Sequence, residues 1–196
     1  HTPWDPGPYD GHIPSLLEEF AISPCRVLDV GCGTGATLIW LAERGFECWG
    51  VDLAPTAIEI AKRAEQRAGV ACRWLVGSFP DQHGSQQLPP ESFDVVMERG
   101  FLHLNTGKRD HGRILAGVKR VLKPGGLFYS LIAKREGATR FGGPPKWTQS
   151  DIERAVAPHF EIEKMGADVF TPGEVGSMPA WVCVFRKPHQ EVQHRR

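Results

Sequence analysis

No stretch of this chain stays apolar for the roughly 20 residues that a membrane-crossing helix needs, and no secretory-type leader is expected. An excess of charge is also lacking: 23 Lys plus Arg stand against 23 Asp plus Glu, for a formal net charge of zero. With no long-range field to gather polyanions, neither nucleic acid nor a membrane is an expected partner. The short basic end His194-Arg195-Arg196 reads as a solvated tail. Cysteine is scarce and scattered, and Cys25, Cys32, Cys48, Cys72 and Cys183 show no C-x-x-C spacing. No zinc motif is visible, no metal is expected, and the thiols read as reduced groups packed in apolar runs. Repeats and low-complexity segments are missing as well. With 196 residues and 41% hydrophobic content, the chain is expected to be one cytoplasmic domain, a monomer or homodimer, with a full core.

Glycine, by contrast, forms a pattern. Residues 29 to 35 read Asp29-Val30-Gly31-Cys32-Gly33-Thr34-Gly35, directly after the apolar Val27-Leu28. Asp52 follows in Trp49-Gly50-Val51-Asp52-Leu53, 17 residues past Gly35. Alternating glycines let backbone approach a ligand closely, because a Cβ would fill the space or forbid a positive φ. A carboxylate at the end of the next strand suits a ribose diol, as the acidic residue beyond a dinucleotide fingerprint does. The glycines alone leave a nicotinamide or flavin protein open, since Gly31-x-Gly33-x-x-Ala36 also satisfies the looser dinucleotide pattern. Three further features decide. Asp29 precedes the loop, Gly35 comes one residue early for a dinucleotide fingerprint, and Leu122-Lys123-Pro124-Gly125-Gly126 stands before the strand-like Leu127 to Ile132. Over residues 24 to 135 the chain thus resembles the class I S-adenosylmethionine-dependent methyltransferases.

Periodicity predicts alternating strands and helices, the order that builds a parallel sheet covered on both faces. Strands are expected at 27–30, 48–51, 72–76, 93–97 and 127–132, with helices at 34–44, from Pro55, and over 109–122, where Lys123-Pro124-Gly125-Gly126 stops the last. Asp81 to Ser92 reads as a surface loop, Thr148 as the cap of a short helix, and 160–164 and 181–185 as two closing strands. Ile13, Leu16, Leu17 and Phe20 make one apolar helix face. The resemblance implies the α/β fold of that class, a Rossmann-like doubly wound seven-stranded sheet in the order 3-2-1-4-5-7-6, its last strand antiparallel. Within a single domain, 1–20 is expected as lid and helix, 24–135 as cofactor-binding core, 137–148 as substrate loop and 149–186 as closing helix and strands.

The resemblance also implies S-adenosylmethionine as cofactor and distributes its contacts. Gly31, Gly33 and Gly35, with Cys32 and Thr34 between them, would pass under the ribose and methionine portion, although packing is the preferred role for the Cys32 thiol. Asp29 would orient the loop or reach the ammonium through water, Asp52 would take the ribose hydroxyls, and Leu53 would pack on adenine. Where the class often has an acidic residue for the adenine amine, this chain has Gly77-Ser78-Phe79-Pro80. Ser78 can accept from that amine, and Phe79 either covers the ring or packs in the core. The proline-rich segment Thr2 to Asp10, with Trp4 over the cofactor, is expected as a lid.

The acceptor is expected where the fourth strand leaves the sheet, in Glu98-Arg99-Gly100-Phe101-Leu102-His103. This string resembles the Asp-Arg-Gly-x-x-His pattern of thiopurine and tellurite-resistance methyltransferases, with Glu98, also counted as a cofactor contact, in place of Asp. Those relatives methylate sulfur, heavier chalcogens or small anions. The Asn/Asp-Pro-Pro-aromatic motif of DNA amino methylation is absent from this position. Catalytic candidates are Arg99, which holds an anion or pairs with Glu98 or Asp94, and the base candidates His103, Asp10 and His12. His103 reads equally as a cap or packing residue. Tyr9, Phe101, Arg140, Phe141 and Trp147 are candidates for the substrate wall. The expected function is methyl transfer to a small-molecule thiol, chalcogen or related soft nucleophile. The alternatives are a small-molecule O- or N-methyltransferase and a non-catalytic S-adenosylmethionine-binding subunit or sensor.

Overall fold

The computed structural model describes residues 11–80, 88–104, 108–135, 146–170 and 178–189. In chain order its elements are α1 (His12–Glu19), β1 (Arg26–Val30), α2 (Ala36–Ala42), β2 (Glu47–Asp52), α3 (Pro55–Ala68), β3 (Cys72–Val76), β4 (Phe93–Arg99), α4 (Phe101–Leu104), α5 (Lys108–Val121), β5 (Leu122–Ala133), α6 (Gln149–Val156), β6 (Glu161–Phe170) and β7 (Met178–Arg186). The strands form one seven-stranded sheet in the order β3-β2-β1-β4-β5-β7-β6. β1 to β5 pair in parallel, and β7 runs antiparallel to both β5 and β6. The expected topology is the observed one.

Side-chain alternation sorts the core into two layers. Leu28, Val30, Val51, Val96 and Phe128 pack with Ile114, Leu115 and Val118 of α5 and Ile152 and Val156 of α6. On the opposite face Val27, Cys48, Val95, Met97 and Tyr129 pack with Ile13 and Leu16 of α1, Leu38 and Leu41 of α2 and Ile58 of α3. Because central parallel strands are covered on both sides, they read as continuous apolar runs, and four of the five residues of β1 are buried. Pro55 opens α3, where its missing N–H leaves no bond unmade, and Thr148 forms a capping box with Asp151 at the start of α6.

The structure lengthens several expected strands. β4 runs on through Glu98 and Arg99, and β6 reaches Phe170 instead of ending at Lys164. Met165-Gly166-Ala167-Asp168 lacks the alternation that marks a strand, but pairing with β7 carries it along. Lys123 to Gly126 stops α5 as expected, yet it is an excursion within β5: Phe93 pairs with Leu122 and Val95 with Leu127. Gly125 holds a φ of +77° there, and its N–H donates to the Lys187 carbonyl. Cys48, Cys72 and Cys183 lie in β2, β3 and β7, and all five thiols are free.

The parallel strands end along one edge of the sheet, at Val30, Asp52, Val76, Arg99 and Ala133. Chain order reverses between β1 and β4, which opens a crevice where α/β sheets bind ligands.

Candidate active site

The loop from β1 to α2 forms the floor of that crevice. Gly31 and Cys32 both donate their N–H groups to the Val51 carbonyl, at 2.8 and 3.1 Å. The Gly33 N–H donates to Asp52 Oδ2 at 2.8 Å, while the Ala54 N–H donates to Oδ1 at 2.9 Å. Asp52 therefore braces the loop with one oxygen and the turn into α3 with the other. Each oxygen retains a lone pair for a further donor.

Gly31, Gly33 and Gly35 all have positive φ, at +75°, +54° and +77°, but their surroundings differ. A Cβ on Gly35 would stand 2.4 Å from Trp74 Cη2, and one on Gly31 would stand 3.0 Å from Phe101 Cδ2. A Cβ on Gly33 would meet nothing within 4 Å. Gly35 lets α2 close on β3, Gly31 admits Phe101, and Gly33 alone faces open space. Nearby, Leu53 is 72% exposed, a large apolar side chain left uncovered beside the Asp52 carboxylate. An open glycine, a carboxylate and a bare apolar platform fit a nucleoside with a ribose diol.

Cys32 is buried, its sulfur pressed so close to Gly50 that a Cβ there would lie 2.8 Å from Sγ. Burial pushes its thiol well above the ordinary range. Asp29 is buried on the α1 face. Thr34 and Ser78 are half-buried. Phe79 packs in the core, edge-on to Phe101 with ring centroids 6.4 Å apart.

The second wall follows β4. Glu98 is buried, its carboxylate accepting from the Ser130 hydroxyl through Oε1 and from the Leu102 N–H through Oε2 at 3.1 Å. Burial raises its pKa to about 7, against the pull of the Ser130 hydroxyl and the Leu102 and Phe101 N–H groups, with Asp29 adding to the rise. Glu98 thus ties β4, β5 and the first turn of α4 together from inside the protein. His103 Nδ1 accepts the Ala133 N–H at 3.1 Å, and burial lowers its pKa to about 4. Its neutral ring must carry the proton on Nε2. Arg99 ends β4 half-buried at the crevice, and Gly100, with φ +92°, turns the chain into α4.

The structure brings Asp29, the glycine loop, Asp52, Leu53, Ser78, Glu98, Arg99, Phe101 and His103 to one edge of the sheet. His12 sits apart, its Nε2 3.3 Å from Asp168 Oδ2 of β6. Trp147 is buried in the core beneath this edge, its ring 4.5 Å from that of His111 and its carbonyl accepting from Trp181 Nε1. Trp4, Tyr9, Asp10, Arg140 and Phe141 lie outside the described residues. Ser130, Trp74 and Asp168 are absent from the sequence reading. Ser130 had a signal, as the one small polar residue inside the aliphatic and aromatic run Leu127 to Ile132. Among the described residues no group of three or more His, Cys, Asp and Glu is gathered that could hold a metal, and no helix is long and apolar enough to cross a membrane.

Residues 27–126 match the family described as methyltransferase domain. The chain belongs to that methyltransferase family. Its cofactor is S-adenosylmethionine. The chain is 31% identical over 143 residues to an S-adenosyl-L-methionine-dependent Diels-Alderase from Talaromyces variabilis, covering 69% of this chain and 48% of that one. It is 28% identical over 159 residues to a probable thiol methyltransferase of Arabidopsis thaliana, covering 80% and 67%. A structure solved in work on the conversion of a disulfide bond into a thioacetal group during echinomycin biosynthesis shares the fold, with a TM-score of 0.80, 24% identity and coverage of 96% and 86%. The chain spans about half the length of the first two curated relatives that it matches, 48% and 57%.

Proposed function

We propose that this methyltransferase transfers the methyl group of S-adenosylmethionine to a small-molecule soft nucleophile, a thiol or heavier chalcogen anion. The observation that carries the reading is the state of His103. Its Nδ1 lone pair is occupied by the Ala133 N–H, its Nε2 holds the proton, and burial keeps the ring neutral. An imidazole in that state has no lone pair with which to take a proton from an acceptor. Glu98 is also committed, to Ser130 and Leu102. An acceptor that arrives already ionised needs neither. A thiol near pKa 8.5 is a few per cent thiolate at neutral pH, whereas an alcohol depends on a positioned base. The likeness to a thiol methyltransferase supports the same choice.

In this reading Asp52 accepts the ribose hydroxyls, Leu53 packs on adenine, and the backbone at Gly33 passes beneath the ligand. Asp29 and Ser78 serve the ammonium and the adenine amine. When bound, S-adenosylmethionine would supply an electrophilic methyl on a sulfonium: the acceptor's electron pair would form the new bond to carbon, and the pair of the old bond would stay on the departing thioether sulfur. Glu98 holds the turn that places Arg99 at the crevice, and the guanidinium steadies the acceptor's negative charge. Alignment of this kind is worth about 7–11 kcal/mol in favourable intramolecular cases.

The test is S-adenosylhomocysteine formation with hydrosulfide, benzenethiol, selenite, tellurite, phenols and amines, beside calorimetry of cofactor binding. Turnover confined to thiols and chalcogens is expected. Turnover on phenols or amines alone would refute the soft-acceptor reading and turn attention to His12 and Asp168, while binding without any turnover would favour a sensor. Asp52→Ala should weaken cofactor binding at least tenfold; unchanged affinity would remove the ribose assignment.

A further inference from the structure

β6 carries a glycine at its centre, where glycine weakens a strand and often marks the close approach of a ligand. Gly166 is not in the left-handed region, and a Cβ built on it would meet nothing within 4 Å. Turn geometry and crowding therefore do not account for it. Its register partner is Val182, itself paired with Leu131, so Gly166 belongs to the sheet face that α1 covers. α1 is tied to β6 at two points. His12 pairs with Asp168 at 3.3 Å, and Glu19 accepts from Lys164. Gly166 lies midway between Lys164 and Asp168. Between these two contacts, helix and strand enclose a cavity of about 280 Å³, with Leu16, Tyr129, Val182 and Val184 as its apolar wall and Ser15 as a polar group. The cavity exists because the contacts hold α1 along β6 and Gly166 offers no side chain to fill the gap.

β6 and β5 are both antiparallel to β7 and hence parallel to each other. The Asp168 end of the cavity therefore lies on the same sheet edge as the glycine loop and Arg99. We propose that this cavity receives the body of the methyl acceptor, a monocyclic aromatic thiol, with its ring against Val182, Val184 and Leu16 and its sulfur directed to that edge. The volume stands just below the roughly 300–1,000 Å³ found for small-molecule pockets, which suits a small ligand such as one with a single ring. The identity of the ligand rests on the soft-acceptor reading above; the existence of the pocket does not.

Gly166→Leu fills the cavity from a position with open space and an ordinary backbone conformation, and Gly166→Ala is the smaller change should leucine disturb folding. The probe is benzenethiol, with hydrosulfide as an acceptor too small to need the cavity. In calorimetry with S-adenosylhomocysteine present, benzenethiol should bind the natural protein and bind Gly166→Leu at least tenfold more weakly, with affinity for S-adenosylhomocysteine unchanged. In turnover, KM for benzenethiol should rise at least tenfold in Gly166→Leu while hydrosulfide kinetics stay within twofold. Absent benzenethiol binding, or equal binding by both proteins, overturns the cavity assignment whatever the turnover shows. Binding that Gly166→Leu abolishes, without methyl transfer to any thiol, leaves the cavity standing and overturns the soft-acceptor reading.

Discussion

Replacing Gly33 and Gly35 by alanine should separate ligand binding from folding within one loop. At Gly35 the new Cβ stands 2.4 Å from Trp74 Cη2, 2.8 Å from Cζ3 and 3.0 Å from Ala61 Cβ. None of these neighbours has room to move freely: the Trp74 indole N–H is held by Glu65 at 2.6 Å, and Ala61 is buried in α3. The left-handed backbone adds about 1–2 kcal/mol for any residue with a Cβ, and overpacking adds about 1–3 kcal/mol. Gly35→Ala should therefore lose about 2–5 kcal/mol, a large part of the roughly 5–15 kcal/mol of a typical domain. Gly33→Ala keeps the backbone penalty of about 1–2 kcal/mol and meets no neighbour within 4 Å. Its methyl instead enters the space assigned to the cofactor, so its stability should fall little and its affinity for S-adenosylmethionine much. Urea unfolding at 25 °C gives the first quantity, and calorimetry on the folded proteins gives the second. Equal destabilisation of the two variants, or natural cofactor affinity in Gly33→Ala, would refute the division of roles.

Two titrations carry opposite signs. Glu98 holds its proton up to about pH 7 in the folded protein against an ordinary 4.5, so its contribution to stability is complete below pH 4.5 and is lost as pH rises through 7, by up to about 3 kcal/mol. Glu98→Gln should lack this loss when urea midpoints at pH 5 and pH 8 are compared; the same fall in both proteins would mean that another group titrates. For His103, depressed from 6.5 to about 4, the contribution is present above pH 6.5 and disappears as pH falls through 4. Imidazole ¹⁵N shifts at pH 6 should report a neutral ring protonated on Nε2, and a ring that gains its proton near pH 6.5 would contradict the buried hydrogen bond to Ala133.

Much of the fold is legible in the chain because local rules and tertiary demands agree. β1 to β5 are buried on both faces or end at glycine and proline signals, so a hydrophobic run, its length and its punctuation are enough to locate them. β6 is the exception. Residues 165 to 168 have little strand character of their own and are extended because β7 pairs with them. The glycine loop and Asp52 are legible for a related reason: a nucleoside site written on one β-α-β unit keeps its parts close in sequence.

Sequence by itself determined the alternation of elements, the glycine loop, the acidic residue after β2 and the edge at which a ligand would bind, all from interactions spanning a few turns of chain. Only the tertiary structure decided what each part touches. Trp74, 39 residues beyond Gly35, makes that glycine a packing position, while the open space at Gly33 leaves room for a ligand. Glu98 gains its raised pKa from burial, against the pull of Ser130, and His103, kept neutral by burial, accepts from a strand 30 residues away. His12 meets Asp168 over a cavity that no local pattern foreshadows. Burial and hydrogen-bond partnership set these properties, and both depend on groups that folding brings together from distant parts of the chain.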